Sequence, residues 1–395
     1  MKIALLTYSI KPRGSVMHTL ALAAALTERG HTVWVFALDK DGSGFEQTLP
    51  FMVQLVPAQP APGDIDQLIQ QRIREFVDGF QAGVPAFDIY HAQDCIGANA
   101  LLMLREAGVI PHFVRTVHHV EAFHSPYLRA CQDRSIYQPD LCLCVSDRWQ
   151  QVLARDYGIQ AARVINGIDV QRFSPVPSGQ ETALKARYGL TGNPIYLTIG
   201  GIEPRKNSIG LLQAFAQVLA KVPQAQLVIA GGATLFDYQP YRAQFFAAAA
   251  ARQIDLHRAV VLPGVVAAAD LPVLYRCADV FCFPSLQEGW GLVVMEAIAS
   301  GLPVVVSQQP PFTEFLAPNQ ALWADPQSAT SIAKAMLAGC HSDMTQMVQR
   351  SQAVLSDYHW SRSAALHEGH YQALVQQLAP TGTKGHALHG LRGDA

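Results

Sequence analysis

The stretch from Phe281 to Val306, F-C-F-P-S-L-Q-E-G-W-G-L-V-V-M-E-A-I-A-S-G-L-P-V-V-V, leaves few folds open to the chain. Val280-Phe281-Cys282-Phe283 is an unbroken apolar run halted by Pro284, which reads as a buried strand. Gly289 and Gly291 give a loop. Leu292 to Ser300 reads as an apolar helix closed by Gly301 and Pro303, and Val304-Val305-Val306 is the next buried strand. Glu288 lies in the loop ahead of the helix, and Glu296 just over one turn inside it. A helix that opens on glycine-rich backbone offers free N–H groups and the positive end of a dipole, which suits a phosphate. A carboxylate one turn in can accept two hydroxyl hydrogen bonds, which suits a ribose diol. The segment reads as a cradle for a nucleoside diphosphate. Two solvated glutamates on an ordinary βα loop are the alternative that the segment alone leaves open.

The pattern is not isolated. A strand over 2–8, a loop over 9–15, a helix over 16–29 stopped by Gly30 and a strand over 32–37 make another parallel βαβ unit, with ligands expected at the strands' carboxyl ends. Asp39-Lys40-Asp41 precedes Gly42-Ser43-Gly44 and reads as a solvated turn, and Asp64-Ile65-Asp66 as a helix start. The proline-rich 57–64 is a linker into a helix over 66–80. Further strands are expected over 87–91, 112–117 and 141–145, with Ser146 capping a helix over 147–156. The strand over 112–117 ends on His118 and His119. The segments 9–15, 54–66 and 119–127 read as loops. Asn166-Gly167 is a turn dipeptide and the Pro175/Pro177 stretch a linker, which puts a domain boundary near 173–177.

Beyond it, a helix over 181–188 leads to a strand over 194–199 that ends in Gly200-Gly201-Ile202-Glu203-Pro204-Arg205-Lys206-Asn207. Adjacent Arg and Lys after a glycine-rich strand end suit a diphosphate, the Arg as a bidentate fork and the Lys as a point charge. Strands over 227–230 and 260–262 follow, then the segment 271–276, and helices over 328–337, 344–358 and 360–378. The Gly/His-rich tail, 380–395, is expected to be disordered.

At 395 residues two domains are more natural than one, and with half the residues apolar there is material for two cores. A formal net charge of −2 and the lack of any Lys/Arg run give no footprint for nucleic acid. The seven cysteines contain no C-x-x-C and read as small core residues in a reducing compartment, with Cys142 and Cys144 on one face of their strand. Met1-Lys2 leads straight into a strand, and no apolar run reaches the ~18–20 residues of a membrane span. A cytoplasmic protein is expected, with peripheral membrane contact left open.

E-G-W-G-L-V-V-M-E-A is similar to the E-x7-E signature of retaining glycosyltransferases with the GT-B fold, especially glycosyltransferase family 4, the glycosyl transferases group 1. The resemblance extends over nearly the whole chain. Thr116-Val117-His118 matches the family's T-x-H, although His119 stands where an acid is usual and Glu121 is offered in compensation. Asn166-Gly167-Ile168-Asp169 with Phe173-Ser174-Pro175 matches its N-G-[IV]-D…F-x-P exit from the first domain. Arg205 and Lys206 fit its G-R-L-x-x-x-K-G, with Asn207 where Gly is usual, and of the first-loop glycines only Gly14 remains.

The resemblance implies two doubly wound, Rossmann-like α/β domains facing a cleft. Residues 1–175 would form the acceptor side, with the helix over 360–378 packing back on it, and 176–359 the nucleotide-sugar side. Arg205 and Lys206 would stabilise the leaving diphosphate, with Gly14, Gly201 and the backbone of Gly289, Trp290, Gly291 and Leu292 beside it. Glu296 would take the ribose hydroxyls. Gly232 and Val265 would face the nucleobase. Glu288 and His118 would contact the transferred sugar. The function implied is retaining transfer from a nucleoside-diphosphate sugar to an acceptor that no motif identifies, without metal or other cofactor. Asp39-Lys40-Asp41 is a D-x-D pair of the kind that would favour the metal-dependent GT-A alternative. A nucleotide-sugar epimerase of the same fold, a phosphorylase-like enzyme and a non-catalytic nucleotide-sugar binder are the rival readings.

Overall fold

The computed structural model describes residues 1–61, 63–81, 84–232, 238–341 and 343–379, and the tail expected to be disordered lies outside them. The first half alternates strand and helix. Its strands are β1 (Lys2–Thr7), β2 (Thr32–Asp39), β3 (Met52–Pro57), β4 (Ile89–Ala92), β5 (Val114–Val117), β6 (Leu141–Cys144) and β7 (Ala162–Arg163). Its helices are α1 (Gly14–Glu28), α2 (Ile65–Gln81), α3 (Cys95–Glu106), α4 (Pro126–Tyr137) and α5 (Asp147–Tyr157). The strands form one parallel sheet in the order β3-β2-β1-β4-β5-β6-β7.

The second half repeats the plan without repeating the sequence. After α6 (Glu181–Tyr188), the strands β8 (Ile195–Ile199), β9 (Gln226–Ala230), β10 (Val260–Gly264), β11 (Val280–Phe283), β12 (Val304–Ser307) and β13 (Leu322–Ala324) align as β10-β9-β8-β11-β12-β13. Between and after them run α7 (Ser208–Leu219), α8 (Gln239–Ala251), α9 (Leu271–Arg276), α10 (Leu292–Ala299), α11 (Phe312–Phe315), α12 (Ala329–His341) and α13 (Thr345–Val354). The last helix, α14 (Trp360–Leu378), packs against α1 of the first half. Both sheets are wound in the same sense, so each has one place where the connections reverse direction: between β1 and β4, and between β8 and β11.

Apolar runs explain the strands. Leu5, Phe36, Leu143, Val228, Phe281 and Val305 are all buried within parallel neighbours covered by helices on both faces. Cys142 and Cys144 do share a face, packed with Val117 and Trp149, while Leu143 enters the main core on the other. Among the described residues no helix is long and apolar enough to cross a membrane.

Three expectations change. The segment 54–66 is not all loop, because β3 pairs with β2 from Met52 to Pro57 as an edge strand. The loop over 119–127 gives way to α4, which Ser125 caps by accepting the Leu128 N–H. The turn at Asp39 is confirmed as a turn, but Asp39 is buried rather than solvated. Its carboxylate accepts N–H bonds from Asp41, Gly42 and Gly44, while Asp41 pairs with Lys11 and Ser43.

The chain passes between the halves twice, and the two passages touch. Ile168 pairs with His359 in an isolated parallel bridge and donates its N–H to Tyr358 at 2.9 Å.

Candidate functional site

Two turns of the second half lie back to back beside its switch point, after the neighbouring strands β8 and β9. Gly200 and Gly201 follow β8 with φ of 130° and 73°, and Gly231 and Gly232 follow β9. A side chain on Gly201 would start 2.9 Å from the Gly232 carbonyl oxygen, so this contact needs a residue without one. Asn207 ends the first turn at φ 59°, the left-handed region that glycine enters freely and asparagine better than most. Its amide also donates to the Pro284 and Pro326 carbonyls, at 3.0 and 2.6 Å, tying the β8 loop to the loops after β11 and β13. Asparagine here makes two hydrogen bonds that a glycine could not.

The charged groups converge on that junction. Glu288 Oε1 accepts from Arg205 Nη1 at 2.8 Å and from Lys206 Nζ at 2.6 Å, and Glu203 stands 3.7 Å from Arg205. The Arg205 and Lys206 side chains are 23% and 14% exposed and Glu288 only 7%, so the cluster is poorly screened. Burial alone would raise the Glu288 carboxyl, but the two cations outweigh it and hold its pKa below the ordinary value. Burial, with Arg205 beside it, lowers that of Lys206, whose ammonium also sits 4.4 Å over the Phe283 ring. Burial raises that of Glu203.

No side chain caps α10, whose N-cap is Gly291 at φ 96°. Glu296, half-buried on that helix, accepts from the Tyr275 hydroxyl at 2.7 Å through Oε2. Burial raises its carboxyl against the opposing effect of that bond. The Trp290 ring is 3% exposed and packs against Phe315 and Tyr358, with centroids at 4.8 and 5.1 Å, so only its backbone belongs to the loop surface. Val265 is 64% exposed beside Gly232. Gly14, exposed, begins α1 with open space where a side chain would be.

From the first half, His118 follows β5 and bonds through Nε2 to Gln93 Oε1 at 3.0 Å. Burial and the positive fields of His18, Arg115, His119 and His91 drive its pKa well below the ordinary value, so it is neutral. Glu121 bonds to His119 at 2.7 Å and leaves His118 alone.

The two halves meet over these groups. Trp149 Nε1 donates to the Glu288 carbonyl at 3.0 Å, and Gln287 Nε2 to the Val120 carbonyl at 3.2 Å. Glu314 accepts from the Asp147 and Arg148 N–H groups at 2.8 and 2.9 Å, filling the N-terminus of α5 from across the cleft. Gly289 lies flat against the His118 carbonyl, where even a methyl group would collide. The two halves are thus in direct contact beside these groups. Sequence spacing carried no sign of Trp149, Glu314, Tyr275 or Gln93, because each partner lies 21 to 167 residues away.

Comparisons with known proteins cover both halves. Residues 12–172 match the sequence model described as Glycosyltransferase Family 4, and 180–353 that of Glycosyl transferases group 1. An uncharacterised glycosyltransferase of Methanocaldococcus jannaschii is 27% identical over 355 residues, 84% of this chain and 87% of that protein. The alpha-monoglucosyldiacylglycerol synthase of Streptococcus pneumoniae is 25% identical, over 78% of this chain and 72% of that one. The mannosylfructose-phosphate synthase of Agrobacterium fabrum is 30% identical, but over 47% of this chain and only 42% of its own length. Among solved structures, sucrose-phosphate synthase from Thermosynechococcus elongatus superposes with a TM-score of 0.77 at 20% identity, covering 95% and 99% of the two chains. Anabaena HepE, solved with UDP and glucose, gives 0.76 at 20% identity, covering 94% and 100%.

Proposed function

The chain belongs to glycosyltransferase family 4 and has the GT-B fold, and from that premise we propose that it transfers a sugar, with retention, from a nucleoside-diphosphate donor. The observation that carries this reading is the convergence of Arg205 and Lys206 on Glu288 at the second switch point, directly below the loop of His118. HepE binding UDP-glucose supports a nucleotide sugar as the donor class.

In this reading the units divide near residue 175, with the terminal helix counted in the first. The donor's diphosphate engages Arg205 and Lys206 and displaces the Glu288 carboxylate from them towards the sugar. As the glycosidic bond to phosphate lengthens, negative charge builds on the leaving oxygen, where two largely desolvated cations and the uncapped α10 N-terminus oppose it. A released phosphate oxygen takes the acceptor's proton from the same face. Glu296, already ordered by Tyr275, keeps a second oxygen for the ribose hydroxyls. The cations supply the charge that a metal supplies in other transferases, so turnover is expected to persist in excess EDTA. Its loss, restored by a divalent cation, would return attention to a metal-dependent site.

A thermal-shift screen against UDP, GDP, ADP and CMP, with and without EDTA, tests the donor assignment, since a ligand bound only by the folded state raises Tm by mass action. One diphosphate should give a clear shift that EDTA leaves unchanged, and no shift from any would overturn the cradle. Against that diphosphate, Glu296→Ala should lose about tenfold or more in affinity, as expected for a hydrogen-bonded charged group. Unchanged affinity by calorimetry would remove Glu296 from the ribose role.

A further inference from the structure

Four imidazoles gather beneath the first-domain loops, and only His118 belongs to the site described above. His118 stands edge-on to His18, with centroids 4.8 Å apart, and His18 lies 5.9 Å from His367 of α14. His91 completes the group 5.9 Å from His367, and all three of these partners are fully buried. Buried polar groups at this density need their hydrogen bonds assigned one by one.

Gln93 sits between two of the rings. Its amide has one carbonyl and one N–H₂ face, so it must treat the two imidazoles differently. Oε1 lies 3.0 Å from His118 Nε2, so His118 donates to the carbonyl oxygen, while the amide nitrogen lies over the His91 ring, 3.2 and 3.4 Å from its two nitrogens. The His91 ring is itself held by the Thr116 hydroxyl at Nε2, 2.8 Å, and by the Tyr371 hydroxyl of α14 at Nδ1, 2.7 Å.

We propose that Gln93 is a positioning residue that locks His118 as its Nε2–H tautomer and so keeps Nδ1 as a bare acceptor for a hydroxyl of the transferred sugar. The tautomer stands on the geometry alone, and the sugar contact rests on the function proposed above. The low proton affinity of His118, which faces His18 on α1, Arg115 on β5, His91 on β4 and its neighbour His119, keeps it neutral. A neutral acceptor suits a reaction that builds positive charge on the sugar ring, where an imidazolium would oppose it.

The test is long-range proton–nitrogen NMR of the full chain labelled with ¹⁵N-histidine, with His118 assigned by the signal lost in His118→Asn. The expected spectrum shows a protonated Nε2 and a bare Nδ1, unchanged between about pH 5 and 8, where an ordinary histidine titrates. A proton on Nδ1, which the reversed amide would give, or an ordinary titration overturns the assignment. Gln93→Glu keeps the shape but adds a carboxylate, so His118 should begin to titrate inside that window. Transfer from UDP-glucose, used as the probe, should then fall about tenfold or more towards the acid side, where a tenfold loss corresponds to ~1.4 kcal/mol. An unchanged His118 spectrum in Gln93→Glu overturns the positioning role of Gln93. If the tautomer is as stated but His118→Asn leaves the transfer rate intact, the sugar contact is overturned and the tautomer assignment stands.

Discussion

Lys206→Ala is expected to lower kcat by about 100-fold or more at saturating donor, the usual loss when a group that meets developing charge is removed. The structure makes the effect large for two reasons. Lys206 is mostly buried, so its charge acts through protein rather than water, and it shares Glu288 Oε1 with Arg205. Removing the ammonium leaves Arg205 answered by a whole carboxylate, and the pair closes on itself when it should be open to phosphate. The fold should survive, since Arg205 still satisfies Glu288 and Asn207 still ties the two loops. The measurement is kcat from initial rates beside the melting temperature. A variant that melts normally and keeps a third of the wild-type kcat would show that the leaving group's charge is stabilised elsewhere.

Gly289→Ala is expected to be nearly as damaging by an unrelated route. The new methyl group would press on the His118 carbonyl oxygen, and neither partner can swing away because both are backbone. The halves would have to stand apart, stretching the Trp149 bond to the Glu288 carbonyl and the Glu314 bonds to α5. A displacement near 1 Å between reacting groups costs about 100-fold in rate. Nucleotide affinity should fall far less than kcat, because Arg205, Lys206 and Glu296 all lie on one side of the gap, although the Gly289 backbone itself borders the diphosphate loop. A fall in kcat much steeper than the change in nucleotide affinity, read by calorimetry with the diphosphate found in the thermal screen, is the expected result. Wild-type turnover would mean that catalysis does not require the contact between the halves seen here.

Much of this was legible in the chain. Parallel strands covered on both faces must be apolar along their length, so β8, β9, β11 and β12 announce themselves, and the glycines and prolines beside them mark where the loops begin. Arg205, Lys206 and Glu288 stand out because they are charged residues just beyond apolar runs, and Glu296 because it interrupts one. β3 was hidden because an edge strand bounded by Pro50 and Pro57 looks like a linker. α4 was hidden because its inward face is thin, with Leu128, Cys131 and Ile136 its buried apolar residues. The enclosure of the Trp290 indole was equally hidden, since an indole between two glycines in a loop gives no hint of Phe315 and Tyr358 waiting to surround it. The partners that hold the site together are pairings across the fold, which periodicity along the chain does not record.

The terminal helix has a consequence for the order in which the molecule can be made. Ala364, His367, Tyr371 and Leu374 of α14 are buried against the first unit, yet they leave the ribosome after nearly all of the second. At about 5–20 residues per second, the ~200 residues from Phe173 to Leu378 take roughly 10–40 s to synthesise. Throughout that interval the first unit has its complete sheet but an uncovered seam along α1, with His18 and His91 open to water. The core of the first unit is therefore completed only after the chain of the second has been synthesised.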